Sequence, residues 1–181
     1  MRELDAVTIR LAAKSNRHAF KKLYDLYAPF LWKVLFPMAG QNMETTRELL
    51  QDTFVRVNDT LKQFKGNSAL STWLYRIAYT TAMMHFRKNR RYREFGTITG
   101  SETSPDKTDT FDNRQIVQKI LSRLSPDERF ILVAREVDGI SFEELATITG
   151  DSSGALRTRI HRLKETVRRM FPQEQYAMSE V

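Results

Sequence analysis

The stretch Ser141-Phe142-Glu143-Glu144-Leu145-Ala146-Thr147-Ile148-Thr149-Gly150-Asp151-Ser152-Ser153-Gly154-Ala155-Leu156-Arg157-Thr158-Arg159-Ile160 decides the fold. Ser141 followed three residues on by Glu144 is a capping box, in which the hydroxyl accepts from an amide of the first helical turn and the carboxylate reaches back to the cap's own amide. Gly150 stands where the chain must turn through a left-handed conformation, which glycine adopts without a steric penalty. Ala146 is small where two helices cross, and Leu156 anchors the second helix. The spacing Ala146-x3-Gly150-x5-Leu156 is therefore that of a helix-turn-helix. Its second helix runs from about Ser153 to Phe171, with Leu156, Ile160, Leu163, Val167 and Met170 on the inner stripe. Opposite lie Arg157, Thr158, His161, Arg162, Glu165, Arg168 and Arg169, with Arg159 and Lys164 on the flanks. The N-terminal part of such a helix enters the major groove, where Arg forks onto guanine and Ser or Thr reaches bases or phosphates. Ser153, Arg157, Thr158, Arg159 and Arg162 are the expected DNA contacts. A merely solvated face would carry more balancing acids.

Upstream, Ser125-Pro126-Asp127-Glu128 combines a capping Ser, Pro at the first helical position and Glu at the third. Before it Ile116, Val117, Ile120, Leu121 and Leu124 form a helical stripe, so a four-helix domain is expected over residues 114–174. The polar, acidic residues 96–113 bury too little apolar surface to offset their ordering entropy and read as a flexible linker.

Residues 1–95 read as a second helical bundle. Phe20, Leu23, Tyr24, Tyr27, Leu31, Val34 and Leu35 make one stripe, capped by Ser15 or Asn16 and interrupted by Pro29, where a kink or two abutting helices are expected. Thr45-x-x-Glu48 reads as a capping box for a helix carrying Leu50, Phe54, Val57, Leu61 and Phe64. Gly66 suits a helix stop, and Ser71 is expected to cap a third helix with Trp73, Leu74, Ile77, Ala78 and Thr81 inward. The fold class is all-α, two small helical domains with no strand-period segment.

Composition narrows the function. Lys and Arg outnumber Asp and Glu 29 to 22, a formal charge of +7 that suits a polyanion. With no Cys there are no disulfides or thiolate sites, which fits a reducing cytoplasm. No signal-peptide core and no run of about 18 apolar residues appears, so no membrane insertion is expected. His18, His85 and His161 stand in no metal-ligand spacing, and no phosphate loop or nucleophile elbow is present. The reading is non-enzymatic, with no cofactor or metal.

Two further faces stand out. On the helix from Ser71 to Arg93, Arg76, Thr80, Met83, Arg87 and Arg90 share a side, with Tyr75, Tyr79 and His85 near it. Cations interleaved with rings suit unpaired bases, although aromatics at helical spacing more often pack, and Trp73 reads as core. On the helix from Thr45 to Phe64, the outward Glu48, Gln51, Asp52, Val55, Arg56 and Asp59 form a mixed polar face that either a protein partner or solvent would explain.

Together these segments resemble the extracytoplasmic-function (ECF) sigma factors of bacteria, which keep only sigma regions 2 and 4. The resemblance rests on Ala19-Phe20-x-x-Leu23-Tyr24, Tyr27-Ala28-Pro29, Glu48-Leu49-Leu50-Gln51-Asp52-Thr53-Phe54 and Ser71-Thr72-Trp73-Leu74-Tyr75-Arg76-Ile77-Ala78. In the second half it rests on Leu124-Ser125-Pro126-x-x-Arg129, on Asp138 to Ala146 and on Gly154 to Arg162. It implies that Glu48, Gln51, Asp52 and Arg56 dock on the clamp of core RNA polymerase, with a further contact at the flap. It implies that Asn67, Ser68, Trp73, Arg76, Tyr79, Thr80, Arg87 and Arg90 open and hold the −10 promoter element, while the helix-turn-helix reads the −35 element. An anti-sigma factor is an implied partner, promoter DNA the target and the cytoplasm the location. Thr80 and Met84 stand where the family often has Asn and Asp, and Ala155-Leu156-Arg157-Thr158 where Thr-Val-Lys-Ser is common, which leaves the promoter sequence open. The alternative is a stand-alone helix-turn-helix regulator.

Overall fold

The computed structural model describes residues 4–95 and 113–170. Among them are eight α-helices and no strand: α1 (Ala6–Ala13), α2 (Arg17–Met38), α3 (Met43–Thr60), α4 (Leu70–Phe95), α5 (Asn113–Ser122), α6 (Pro126–Glu136), α7 (Phe142–Thr149) and α8 (Ser153–Met170). The linker expected over 96–113 lies outside the described residues except for Asn113, which opens α5, as does the expected domain end at 171–174.

Capping explains where the helices start. Asn16, not Ser15, caps α2, its side chain accepting from the Ala19 amide at 3.0 Å. Ser15 instead takes a left-handed turn with φ 62°. The capping box expected at Thr45 and Glu48 is not formed. Gly40 and Gln41 both turn left-handed, which brings Asn42 to the cap position, and its side chain accepts from the Thr45 amide at 2.8 Å. The helix therefore begins before Thr45. Ser71 likewise falls inside α4, which starts at Leu70. Ser125 and Ser141 form the two expected capping boxes, and Gly150 ends α7 with φ 85°.

Pro29 does not divide α2, which continues through it and through Pro37. The ring leaves the Asp25 carbonyl without its usual helical donor, yet Tyr27, Ala28, Leu31, Val34 and Leu35 are all buried on the face that continues past it. Burying that many apolar side chains, at roughly 1.5–3 kcal/mol for each large one, outweighs one lost backbone bond. Val117, placed on the inner stripe of α5 by its spacing, is instead exposed, and Leu121 and Leu124 do the packing there.

Helices α1–α4 form one bundle and α5–α8 the other, and the two pack on each other. Helix α2 lies against α6, and α4 against both α6 and α7. One apolar cluster runs through both, from Leu23, Leu35 and Leu74 to Phe130, Ile131 and Leu145. Arg129 of α6 donates through Nε to Leu121 O of α5 at 2.6 Å and crosses the junction through Nη1 to Pro37 O, at the C-terminus of α2, at 3.2 Å. Its cation thus meets carbonyls at the negative end of α2, and burial lowers the pKa of its guanidinium.

Candidate nucleic-acid interface

The turn of the helix-turn-helix puts α8 on α7 through Leu145, Ile148, Leu156 and Ile160, all buried. With that stripe inward, Arg157, Thr158, His161, Arg162, Glu165, Arg168 and Arg169 are exposed, while Ser153, Arg159 and Lys164 are half-buried at the edges. The start of α8 is set by Ser152, whose hydroxyl accepts from the Ala155 amide at 3.2 Å. Acids sit among these cations: Glu143 pairs with Arg157 at 3.0 Å, and Asp127 pairs with Arg159, whose other guanidinium nitrogen lies 3.8 Å from Asp151.

On α4 the residues Arg76, Thr80, Arg87 and Arg90 are exposed and follow one another along the helix. Thr80 turns its hydroxyl back to the Arg76 and Ile77 carbonyls, at 2.9 and 3.0 Å. Asn67 is exposed and Ser68 half-buried in the loop before α4, beside Gly66 with φ 74°. Trp73 is half-buried with its ring 5.4 Å from that of Phe64, as a packing residue would be.

Tyr75 and Tyr79 of α4 face the other bundle. Tyr75 is buried, with its hydroxyl 3.0 Å from Asp138 Oδ2. Tyr79 donates to Asp127 Oδ1 at 2.6 Å, and its ring lies 4.8 Å from that of Phe130. Burial and the neighbouring carboxylates push both phenol pKa values up, so both remain donors. Asp127 therefore holds Tyr79 of α4 on one oxygen and Arg159 of α8 on the other. A further cross-bundle bond joins Thr72 to Glu144 at 3.2 Å. Sequence reasoning read Asp127 and Glu144 only as first-turn residues, which they are. Nothing in the spacing signals that they also meet side chains 48 and 72 positions away.

The polar face of α3 presents Glu48, Gln51, Asp52, Val55 and Asp59 to solvent. Arg56 is half-buried and turns toward α4, its guanidinium 3.2 Å from Met84 Sδ. Gln51 and Val55 border an open groove of about 860 Å³ between α2 and α3, whose apolar wall includes Phe20, Tyr24, Trp32 and Phe54. Among the described residues no group of His, Asp or Glu is arranged to hold a metal ion, and no helix is long and apolar enough to cross a membrane.

Two family models match the chain: sigma-70 region 2 over residues 23–92 and sigma-70 region 4 over residues 114–167. The RNA polymerase sigma factor YlaC of Bacillus subtilis (strain 168) is 31% identical over 157 residues, covering 82% of this chain and 90% of the relative. The ECF RNA polymerase sigma-E factor of Escherichia coli (strain K12) is 31% identical over 134 residues, covering 66% of this chain and 70% of the relative. Among solved structures, CnrH in complex with the cytosolic domain of CnrY has the same fold, with a TM-score of 0.67 and 22% identity over 91% of this chain and 94% of that one. So does RpoE of Bartonella quintana in complex with the anti-sigma factor NepR, with a TM-score of 0.65 and 23% identity over 89% and 98% of the two chains.

Proposed function

The chain belongs to the sigma-70 family as an ECF sigma factor, and from that premise we propose how its surfaces divide the work of promoter-specific transcription initiation. As an alternative sigma factor it directs RNA polymerase to promoters. The observation that carries this is the presence of both sigma regions, in order, in one chain. Catalysis is left to the polymerase, and the protein works in the cytoplasm where polymerase and DNA meet.

In this proposal Glu48, Gln51, Asp52 and Arg56 of α3 dock on the polymerase clamp. The exposure of the first three and the apolar groove beside Gln51 support it, since a polar rim around an apolar centre is common anatomy for a protein interface. The −35 element is read as duplex by Ser153, Arg157, Thr158, Arg159 and Arg162. The −10 element is opened and held by Asn67, Ser68, Arg76, Thr80, Arg87 and Arg90, with Trp73 and Tyr79 beside them. A second polymerase contact at the flap belongs to the α5–α8 domain. An inhibitor of the anti-sigma class is a further expected partner, as RpoE has one bound.

The two DNA surfaces cannot act in the packed arrangement. Elements about 25 base pairs apart at roughly 3.4 Å per pair are separated by about 85 Å, whereas Tyr79 and Arg159 share a single carboxylate. The α4–α6–α7 junction must therefore open when the protein engages polymerase and promoter. Titrating labelled protein with purified core polymerase tests the docking half. Saturable binding, competed by another sigma factor, is the expected result, and no binding would overturn it.

A further inference from the structure

Arg157 does not project freely from α8. Its guanidinium carbon lies 4.5 Å from the centroid of the Phe142 ring, and its Nη2 donates to Glu143 Oε1 at 3.0 Å. Both partners belong to the first turn of α7, whose start is fixed by the Ser141–Glu144 capping box. The Phe142 ring is itself held in place. It is half-buried against the core, and Arg135 of α6 also lies with its guanidinium carbon 4.5 Å from the centroid while donating to Ile140 O at 2.9 Å. The ring is thus a rigid platform shared by a structural cation and by the cation proposed above to read a base.

A free Arg side chain samples many rotamers, and a forked contact to guanine O6 and N7 needs one of them. A guanidinium laid on a fixed ring has lost much of that freedom before DNA arrives. A carboxylate engaging one nitrogen leaves the remaining donors for the base. We infer that Phe142 and Glu143 are positioning residues for Arg157, so that base preference in the −35 element depends on two side chains of the first helix of the motif. Glu143 has a second effect: paired with Arg157 it forms a neutral couple, and without Arg157 it stands as a bare carboxylate on a surface that must approach phosphates. The inference rests on the assignment of Arg157 as a base-reading residue.

The test uses reconstituted holoenzyme and a full set of single-base −35 variants, with occupancy measured for each. Arg157→Ala should flatten the preference at one base pair. Phe142→Leu should reduce that same preference by roughly threefold, the scale of an exposed cation–ring contact, and Phe142→Tyr should retain it. Combining Phe142→Leu with Arg157→Ala should give no flatter profile than Arg157→Ala alone. A purely structural Phe142 would weaken all variants alike and leave the profile intact, and that result overturns the inference while sparing Arg157. A profile unchanged by Arg157→Ala removes the base-reading assignment and the inference with it. If Phe142→Leu fails to fold, Glu143→Ala at the exposed partner decides: a profile flattened at the same base pair supports the inference, and an unchanged profile overturns it.

Discussion

Replacing Asp127 with Ala should loosen the junction between the two bundles. In the packed arrangement the Tyr79 hydroxyl donates to Asp127 at 2.6 Å, and the Asp127 side chain is only 16% exposed. Opening breaks this bond but not the Asp127–Arg159 pair, because α6 and α8 belong to the same bundle. A hydrogen bond to a charged group contributes about 1.5–3 kcal/mol, and partial exposure puts this one near the lower end, at about 2 kcal/mol. That corresponds to roughly a 30-fold shift of the closed–open equilibrium, at about 1.4 kcal/mol per factor of ten. If polymerase takes only the open form, its apparent affinity rises by up to the same factor, since the closed fraction lowers it. The assay pairs dyes at Lys14, just after α1, and Glu165 of α8, both exposed, and follows energy transfer in the free protein alongside a titration with core polymerase. Asp127 also sits in the first turn of α6, where its charge favours the helix by about 0.3–1 kcal/mol. Tyr79→Phe removes the same bond without that side effect, and the two changes should not add. Unchanged energy transfer and unchanged core affinity in both variants would refute the reasoning.

Four other outcomes are expected. Asp52→Arg, on the exposed face of α3, should weaken association with core polymerase while stability stays within about ±0.5 kcal/mol; thermal melting and a binding titration check both, and an unchanged core affinity removes Asp52 from the docking face. The Ser141 amide and hydroxyl hold the Glu144 pKa below the usual glutamate range, so its contribution is present above that range and lost as pH falls through the depressed value. Glu144→Gln should accordingly reduce the acid-side loss of stability in denaturant melts taken between about pH 5 and pH 3. Burial raises the Asp138 pKa, against the opposing effects of Tyr75 and Lys33, and the sign reverses: the penalty on its charged form fades as pH falls, so Asp138→Asn should stabilise at neutral pH and lose that advantage in acid. Arg168→Ala or Arg169→Ala, late in α8, should weaken holoenzyme binding to every promoter alike and reduce the salt slope by about one unit; a change in sequence preference would assign that residue to base contact instead.

The helix-turn-helix was legible because each of its signals is local. A capping box, a left-handed glycine and a 3.6-residue stripe are fixed by neighbours within a few positions, and Ser141, Gly150 and Leu156 fill those roles. The exposed face of α8 follows from the same stripe. Competition between two nearby caps was harder to read: Thr45 carried the pattern, but the paired left-handed residues Gly40 and Gln41 brought Asn42 to the helix end first. At Pro29 the spacing leaves open a kink or two abutting helices, because the burial that carries α2 through it as one helix comes from tertiary packing. What no spacing could disclose is the junction. Tyr75, Tyr79 and Arg129 meet Asp138, Asp127 and the α2 carbonyls across many tens of residues. The tyrosines that read as base-stacking candidates are, in the packed arrangement, half or fully occupied by that junction.

Promoter recognition by this chain is expected to depend on polymerase, and one experiment tests this directly. Purified chain is added to sigma-free core polymerase on a library of promoter fragments from its own genome, and transcript start sites are mapped in parallel with footprints of the chain alone. Initiation is expected at a restricted set of fragments sharing −35 and −10 elements, with no stable footprint in the absence of core. A tight footprint by the free chain on an operator, with no start sites added by combining it with core, would show instead a regulator that binds DNA alone.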